Sequence, residues 1–223
     1  MLKFQEVKFS KDLRFKPLTF SIPESQIVAL YGPAKTGKTA CLLAMVGGIK
    51  PITGAISVLG LNPIKRQREV RQKVGLSFIE GVYEPYFSLS VYDNFKFQGA
   101  ILGKKVTKEE LEKLLTKVDA NFTERDIIAD LNQVQRLKVG IALALLGNPE
   151  IVLIDEPFKN LTCVEQKYLE KILTGIKEEG KLVVYTTLKE KELEIADLVL
   201  DIARGGVSYE LFKDCSSGVK TAS

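Results

Sequence analysis

The chain has 223 residues, 45% hydrophobic and 27% charged, which suits one core-burying domain, with room for an inserted lobe. Its net charge of +4 is mild and spread along the sequence, too weak a balance to argue for nucleic acid as a partner. Histidine is absent, which excludes an imidazole base, a Ser–His pair or a His-ligated metal, and no apolar run approaches the ~20 residues that cross a bilayer.

From the N-terminus, LKFQEVKF and PLTFSI alternate apolar with polar residues and predict antiparallel strands of a small β layer. Continuous apolar runs at Ile27–Tyr31, Val74–Phe78, Ile151–Ile154, Leu182–Tyr185 and Leu198–Leu200 predict strands buried on both faces of a parallel sheet. Helical patterns fall between them. Thr107 and Glu110 have capping-box spacing, ahead of Leu111, Leu114, Leu115 and Val118. Val134, Leu137, Ile141 and Leu145 form a second stripe, closed by Gly147 and Pro149. Thr162 and Glu165 open a third, carried by Val164, Tyr168, Ile172 and Ile176.

Strand–helix alternation predicts an α/β fold with a mostly parallel central sheet and a small antiparallel β layer. No strand is expected between Glu80 and Gly147, so about 80–147 reads as a helical lobe inserted into a core of 1–79 and 148–212. The small, polar stretch KDCSSGVKTAS, 213–223, reads as a disordered tail. Three scattered cysteines without a CxxC, and no signal peptide, are expected to be reduced intracellular thiols.

GPAKTGKT at Gly32–Thr39 matches GxxxxGK[ST], follows the apolar strand IVALY and opens the helix ACLLAMV. Glycines let successive N–H groups converge on one phosphate, and the helix start adds roughly half a positive charge. The candidate phosphate-binding set is therefore Gly32, Pro33, Ala34, Lys35, Thr36, Gly37, Lys38 and Thr39. Lys38 reaches the outer phosphates and the Thr39 hydroxyl can ligate Mg2+. Lys35 either attracts phosphate or points into solvent.

IVLIDEP places Asp155 and Glu156 at the C-terminal end of a buried strand, where α/β folds hold their ligands. Asp155 is the second candidate metal residue, and Glu156 is placed to orient or deprotonate an attacking water.

With these two motifs the chain resembles the ATP-binding subunit of an ABC transporter, over nearly its whole length. MVGGIKPITGAISVLGLNP is similar to that family's stretch after the phosphate loop, LSVYDNF to the opening of its helical lobe, and LNQVQ stands where its LSGGQ signature would. Length and spacing resemble the export branch. The resemblance implies a P-loop NTPase fold of ABC type, ATP and Mg2+ as ligands, and a head-to-tail dimer with each ATP between one subunit's phosphate loop and the other's signature. It also implies a separate transmembrane permease subunit, a second ATP-binding subunit (identical or paralogous), and a cytoplasmic position at the inner face of the membrane. Phe9 aligns with the aromatic on which adenine stacks, and a core role fits the same residue.

Several motifs depart from the family pattern. Asn132 replaces the signature Ser, and Gln133-Val134 replaces its glycines; a Val side chain there obstructs close backbone approach to phosphate. Asn132 also suits a helix cap. Leu188 stands in place of the switch histidine, the Q-loop glutamine falls near Ile79 or Glu80, and FKNLT replaces SALD after Glu156. The aromatics of Phe78–Phe97, with Tyr83, Tyr86 and Phe87 flanking Pro85, fit either a lobe core or the surface that receives the membrane subunit.

Two functions follow as expectations. One is an ATP-binding transporter subunit with Lys38, Asp155 and Glu156 as its catalytic set, hydrolysing slowly because charge-stabilising donors are missing. The other is a pseudo-ATPase module that gates a partner without hydrolysis, against which the retained Glu156 argues. A soluble P-loop kinase fits poorly, since only seven Arg are available for a phosphate lid.

Overall fold

The computed structural model describes residues 2–11, 16–78 and 80–209. The expected tail, 213–223, and Ile79 lie outside the described residues. Two sheets organise the chain. The smaller is antiparallel, with β1 (Leu2–Lys8) between β2 (Leu18–Ile22) and β4 (Thr53–Val58). Strand β2 alternates strictly, burying Leu18, Phe20 and Ile22, whereas β1 buries Leu2 and Phe4 and then slips one residue at a bulge, with Glu6 at φ 52°, to bury Val7. Strand β4, in the stretch GAISV, is an element the sequence reading did not single out.

The larger sheet has the order β5 (Val74–Leu76), β6 (Ile151–Ile154), β7 (Leu182–Thr187), β3 (Ile27–Tyr31), β8 (Leu198–Asp201), β9 (Val207–Tyr209). All pairings are parallel except that of β8 with β9. The central strands β3, β6 and β7 are buried on both faces almost throughout, which is why they read as unbroken apolar runs.

Helices α1 (Lys38–Met45) and α2 (Gln67–Lys73) follow β3 and β4. Helices α3 (Val91–Ile101), α4 (Lys108–Lys117) and α5 (Gln133–Leu145) fill the span between β5 and β6, and α6 (Cys163–Glu178) joins β6 to β7. Helix α5 presses directly on β5. A methyl group at Gly75 would lie 1.8 Å from the Ala144 carbonyl oxygen, and one at Gly140 would lie 2.7 Å from Ser77 Oγ. Only hydrogen at these two positions lets the helix lie so close to the sheet.

Two local expectations need correction. Thr107 Oγ1 accepts from the Glu110 amide at 3.2 Å, but the Glu110 carboxylate pairs with Lys104 at 2.5 Å, so that cap is one-sided. The α6 stripe also differs. Val164 and Tyr168 are exposed, while Leu169, Ile172, Leu173 and Ile176 are buried, because residues four apart drift about 40° around a helix, and the buried face is centred on Leu169, Leu173 and Ile176 rather than on the Val164–Tyr168 side.

Candidate functional site: three strand ends and a glycine-hinged loop

The site is built where β6, β7 and β3 end side by side. Their register aligns Ile154 with Tyr185 and Tyr185 with Ala29, so Asp155, Thr186 and Leu30 occupy the next row. The loop after β3 and the acidic pair after β6 therefore lie one strand apart, with β7 between them. This is the carboxyl-end crevice where a parallel sheet presents ligand-binding groups.

In the loop, Gly32 (φ 153°) and Gly37 (φ 96°) take conformations that side chains rarely adopt, and Lys35 is left-handed at φ 64°. Lys38 is buried and its ammonium donates to the carbonyls of Gly32 and Pro33, each at 2.8 Å. Thr36 Oγ1 also donates to the Pro33 carbonyl, at 2.8 Å. These bonds curl the loop around the lysine head. Burial pulls the Lys38 pKa below the ordinary lysine value, and the nearby Glu156 and Asp155 carboxylates oppose that pull. Helix α1 opens at Gly37 with no side-chain cap and no acidic residue in its first turn, so no side chain of its own competes with an anion for its leading amides. Lys35 is exposed on the rim.

Asp155 receives three contacts across the site. Thr39 Oγ1 lies 3.0 and 3.2 Å from its two carboxylate oxygens, and Thr186 Oγ1 donates to Oδ1 at 2.6 Å. The Thr186 oxygen in turn accepts from the Glu156 amide at 2.8 Å. Glu156 itself has φ 43°, a costly conformation for a side-chain-bearing residue that persists where surrounding bonds over-determine it. Thr186 is thus a site residue that sequence reasoning missed. Its only signal was a hydroxyl closing an otherwise apolar strand.

A hydroxyl and a carboxylate are hard oxygen donors, the set that suits Mg2+. Among the described residues no group of three or more His, Cys, Asp or Glu side chains could hold a metal unaided. A cation on Thr39 and Asp155 would complete its shell with oxygens of a bound phosphate and water. The donor chemistry fits a metal that arrives with its nucleotide.

Phe9 lines a cavity of about 330 Å3 together with Lys8, Lys16, Lys35, Thr36 and Gly37. It is partly buried against the core, as the core role expects, and its place at the cavity leaves it beside the phosphate loop. On the other flank, a cavity of about 220 Å3 is bordered by Glu80, Gln133, Asp155, Glu156 and Lys159.

The segments that depart from the family pattern fall into place locally. Asn132 caps α5, accepting from the Gln135 amide at 3.0 Å, while Gln135 Oε1 accepts from the Asn132 amide at 2.9 Å. The Gln133 side chain donates to the Lys159 carbonyl at 3.0 Å. Leu188, just past β7, is exposed. Tyr86 and Phe87 are exposed, with Tyr86 packed edge-on against Phe97 and Arg136 lying over Phe87. Tyr83 is half-buried and bonded to Gln98 at 2.8 Å. Buried Asn94, a second residue the sequence reading passed over, pins this loop through both backbone groups of Tyr86 at 2.8 and 3.1 Å.

The topology and the loop define a P-loop NTPase fold of ABC type. The same fold is seen in the dimeric ATP-binding cassette MJ0796 in a post-hydrolysis state bound to ADP and Pi, with a TM-score of 0.81 over 95% of this chain and 99% of that one at 20% identity. Residues 15–159 match the ABC transporter family model, and the chain belongs to that family. Lantibiotic transport ATP-binding protein SrtF of Streptococcus pyogenes is 28% identical over 99% of this chain and 94% of its own. Sulfate/thiosulfate import ATP-binding protein CysA of Yersinia pestis is 29% identical over 89% of this chain, which spans 56% of that longer protein. Similarity extends to an import protein as well as a lantibiotic transport protein, so it does not single out the export branch that length and spacing suggested.

Proposed function

We propose that the chain binds Mg·ATP with the triphosphate on Gly32–Thr39, the metal on Thr39 and Asp155, and the adenine against Phe9, and that it hydrolyses ATP slowly to drive or gate a separate transmembrane permease. The observation that carries this reading is the Thr39–Asp155–Thr186–Glu156 chain of contacts beside the curled Lys38 loop. Lys38 exchanges its two carbonyl partners for phosphate oxygens. The amides of the loop and of the α1 start bind the same charge. When bound, the metal neutralises charge developing on the phosphates. Glu156, held by Thr186 through its backbone, presents a carboxylate that takes a proton from water at the outer phosphate.

Slow turnover follows from the groups that are absent. Leu188 offers no donor where a switch histidine would stand, and Gln133 and Val134 replace the signature glycines. Loss of one donor to developing charge costs about 10²–10³ in rate. The partner of the site is a second ATP-binding subunit, identical or paralogous. The exposed Tyr86, Phe87 and Phe97 surface is where the permease docks, which places the protein peripherally on the cytoplasmic membrane face. No described helix is long and apolar enough to cross a membrane.

The test is ATP binding and turnover by the purified chain. We expect saturable Mg·ATP binding and hydrolysis well under ~1 s⁻¹. Glu156→Gln should lower that rate by about 10²-fold while leaving affinity within a factor of a few. Turnover at an ordinary ~1–10 s⁻¹, or a Glu156→Gln rate equal to that of the parent protein, overturns the proposal.

A further inference from the structure

The loop that follows Glu156 carries a replacement, Lys159, whose partners lie elsewhere in the chain. Lys159 stands in FKNLT, and its ammonium pairs with the Glu80 carboxylate at 2.6 Å across 79 residues of sequence. Its carbonyl accepts from the Gln133 side chain at 3.0 Å, across 26 residues. Its own amide donates to the Glu156 carbonyl at 3.0 Å and closes the turn between them. Glu80, Gln133 and Lys159 all fall where the chain departs from the pattern it resembles, and all three border the 220 Å3 cavity into which Asp155 and Glu156 also face.

This arrangement bears on a strained residue. Glu156 is held at φ 43° by one bond from its amide to Thr186, and the Lys159 amide fixes its carbonyl. A left-handed, side-chain-bearing residue persists where its surroundings over-determine it. One of its peptide planes is fixed by the core strand β7. The other is fixed by the Lys159 amide, in a turn held from inside by buried Phe158 against Tyr185 and from outside by Glu80 after β5 and Gln133 at the start of α5.

We infer that the Glu80–Lys159–Gln133 contacts tie the Glu156 turn to the helical segment within one chain, so that the two open together. Glu156's chemical role rests on the function proposed above; the tie does not.

The experiment is hydrogen exchange by mass spectrometry on the full chain without nucleotide. It compares Glu80→Gln, Lys159→Met and the charge swap Glu80→Lys/Lys159→Glu. Each single variant should speed exchange in both 80–88 and 155–162 by about two- to fivefold, the scale of an exposed ion pair. Exchange in β3 should be unchanged, and the swap should return both segments to the parent rates. A single variant that leaves 155–162 unaltered, or a swap as fast as the singles, overturns the inference. A general loss of folding would be seen in β3, and Lys159→Arg, which retains the pair, must then behave as the parent. Failure of ATP binding, read separately by titration, would leave the exchange result standing.

Discussion

The phosphate loop and the Leu131–Gln135 turn are both helix starts on one chain, and they spend their backbone amides differently. Helix α1 begins at a left-handed glycine with no side-chain cap, so its amides remain for an anion. Helix α5 begins at Asn132 inside a complete capping box, and the adjacent Gln133 side chain is bonded to Lys159. A helix start can serve a ligand or its own side chains, because each amide has one hydrogen to give. The first start has kept the chemistry of a nucleotide site. The second has become an intramolecular joint.

Substitutions should separate the two regions sharply. Lys38→Ala should weaken Mg·ATP binding by about 100-fold or more in calorimetric titration, since it removes the buried ammonium around which the phosphate loop curls. An affinity within threefold of the parent would erase the contrast at its root. Phe9→Ala should weaken binding by about 5–100-fold, as loss of a base-stacking ring does, with Phe9→Tyr retaining most of it.

Asn132→Ala should leave ATP affinity alone and cost about 1 kcal/mol of stability, read as a lower denaturant midpoint. Loss of nucleotide binding by this cap variant would show that the α5 start still serves phosphate.

The gentlest test is pH. Burial lowers the Lys38 pKa in the free protein, so the ammonium is lost at a lower pH than for an ordinary lysine. Phosphate binding needs the charged form. Affinity should therefore hold at neutral pH and fall through the alkaline range, ahead of the normal lysine titration. In Lys38→Ala, whatever weak binding remains should lack that decline.

The main strands were legible because burial on both faces leaves an unbroken apolar run, as in IVALY and IVLI. The phosphate loop was legible because its glycines, lysine and threonine are local and closely spaced. Thr186 was not, since its role depends on β7 lying between β6 and β3, a neighbour relation that sequence distance hides. Val164 and Tyr168 misled because an i+4 spacing drifts about 40° per step around the helix, and only the packed structure shows that the buried face is centred on Leu169, Leu173 and Ile176. Gln133 looked like the loss of a glycine, and only its contact with Lys159 gives the replacement a use.

By itself, the sequence determined an α/β chain with a phosphate-gripping turn and an acidic strand end, because such features are written in consecutive residues. Tertiary structure alone decided that Thr186 bridges Asp155 and Glu156, and that Glu80 meets Lys159. Hydrogen bonds and ion pairs act over about 3 Å of space, whatever the separation along the chain. Only the packed sheet brings those residues within that range.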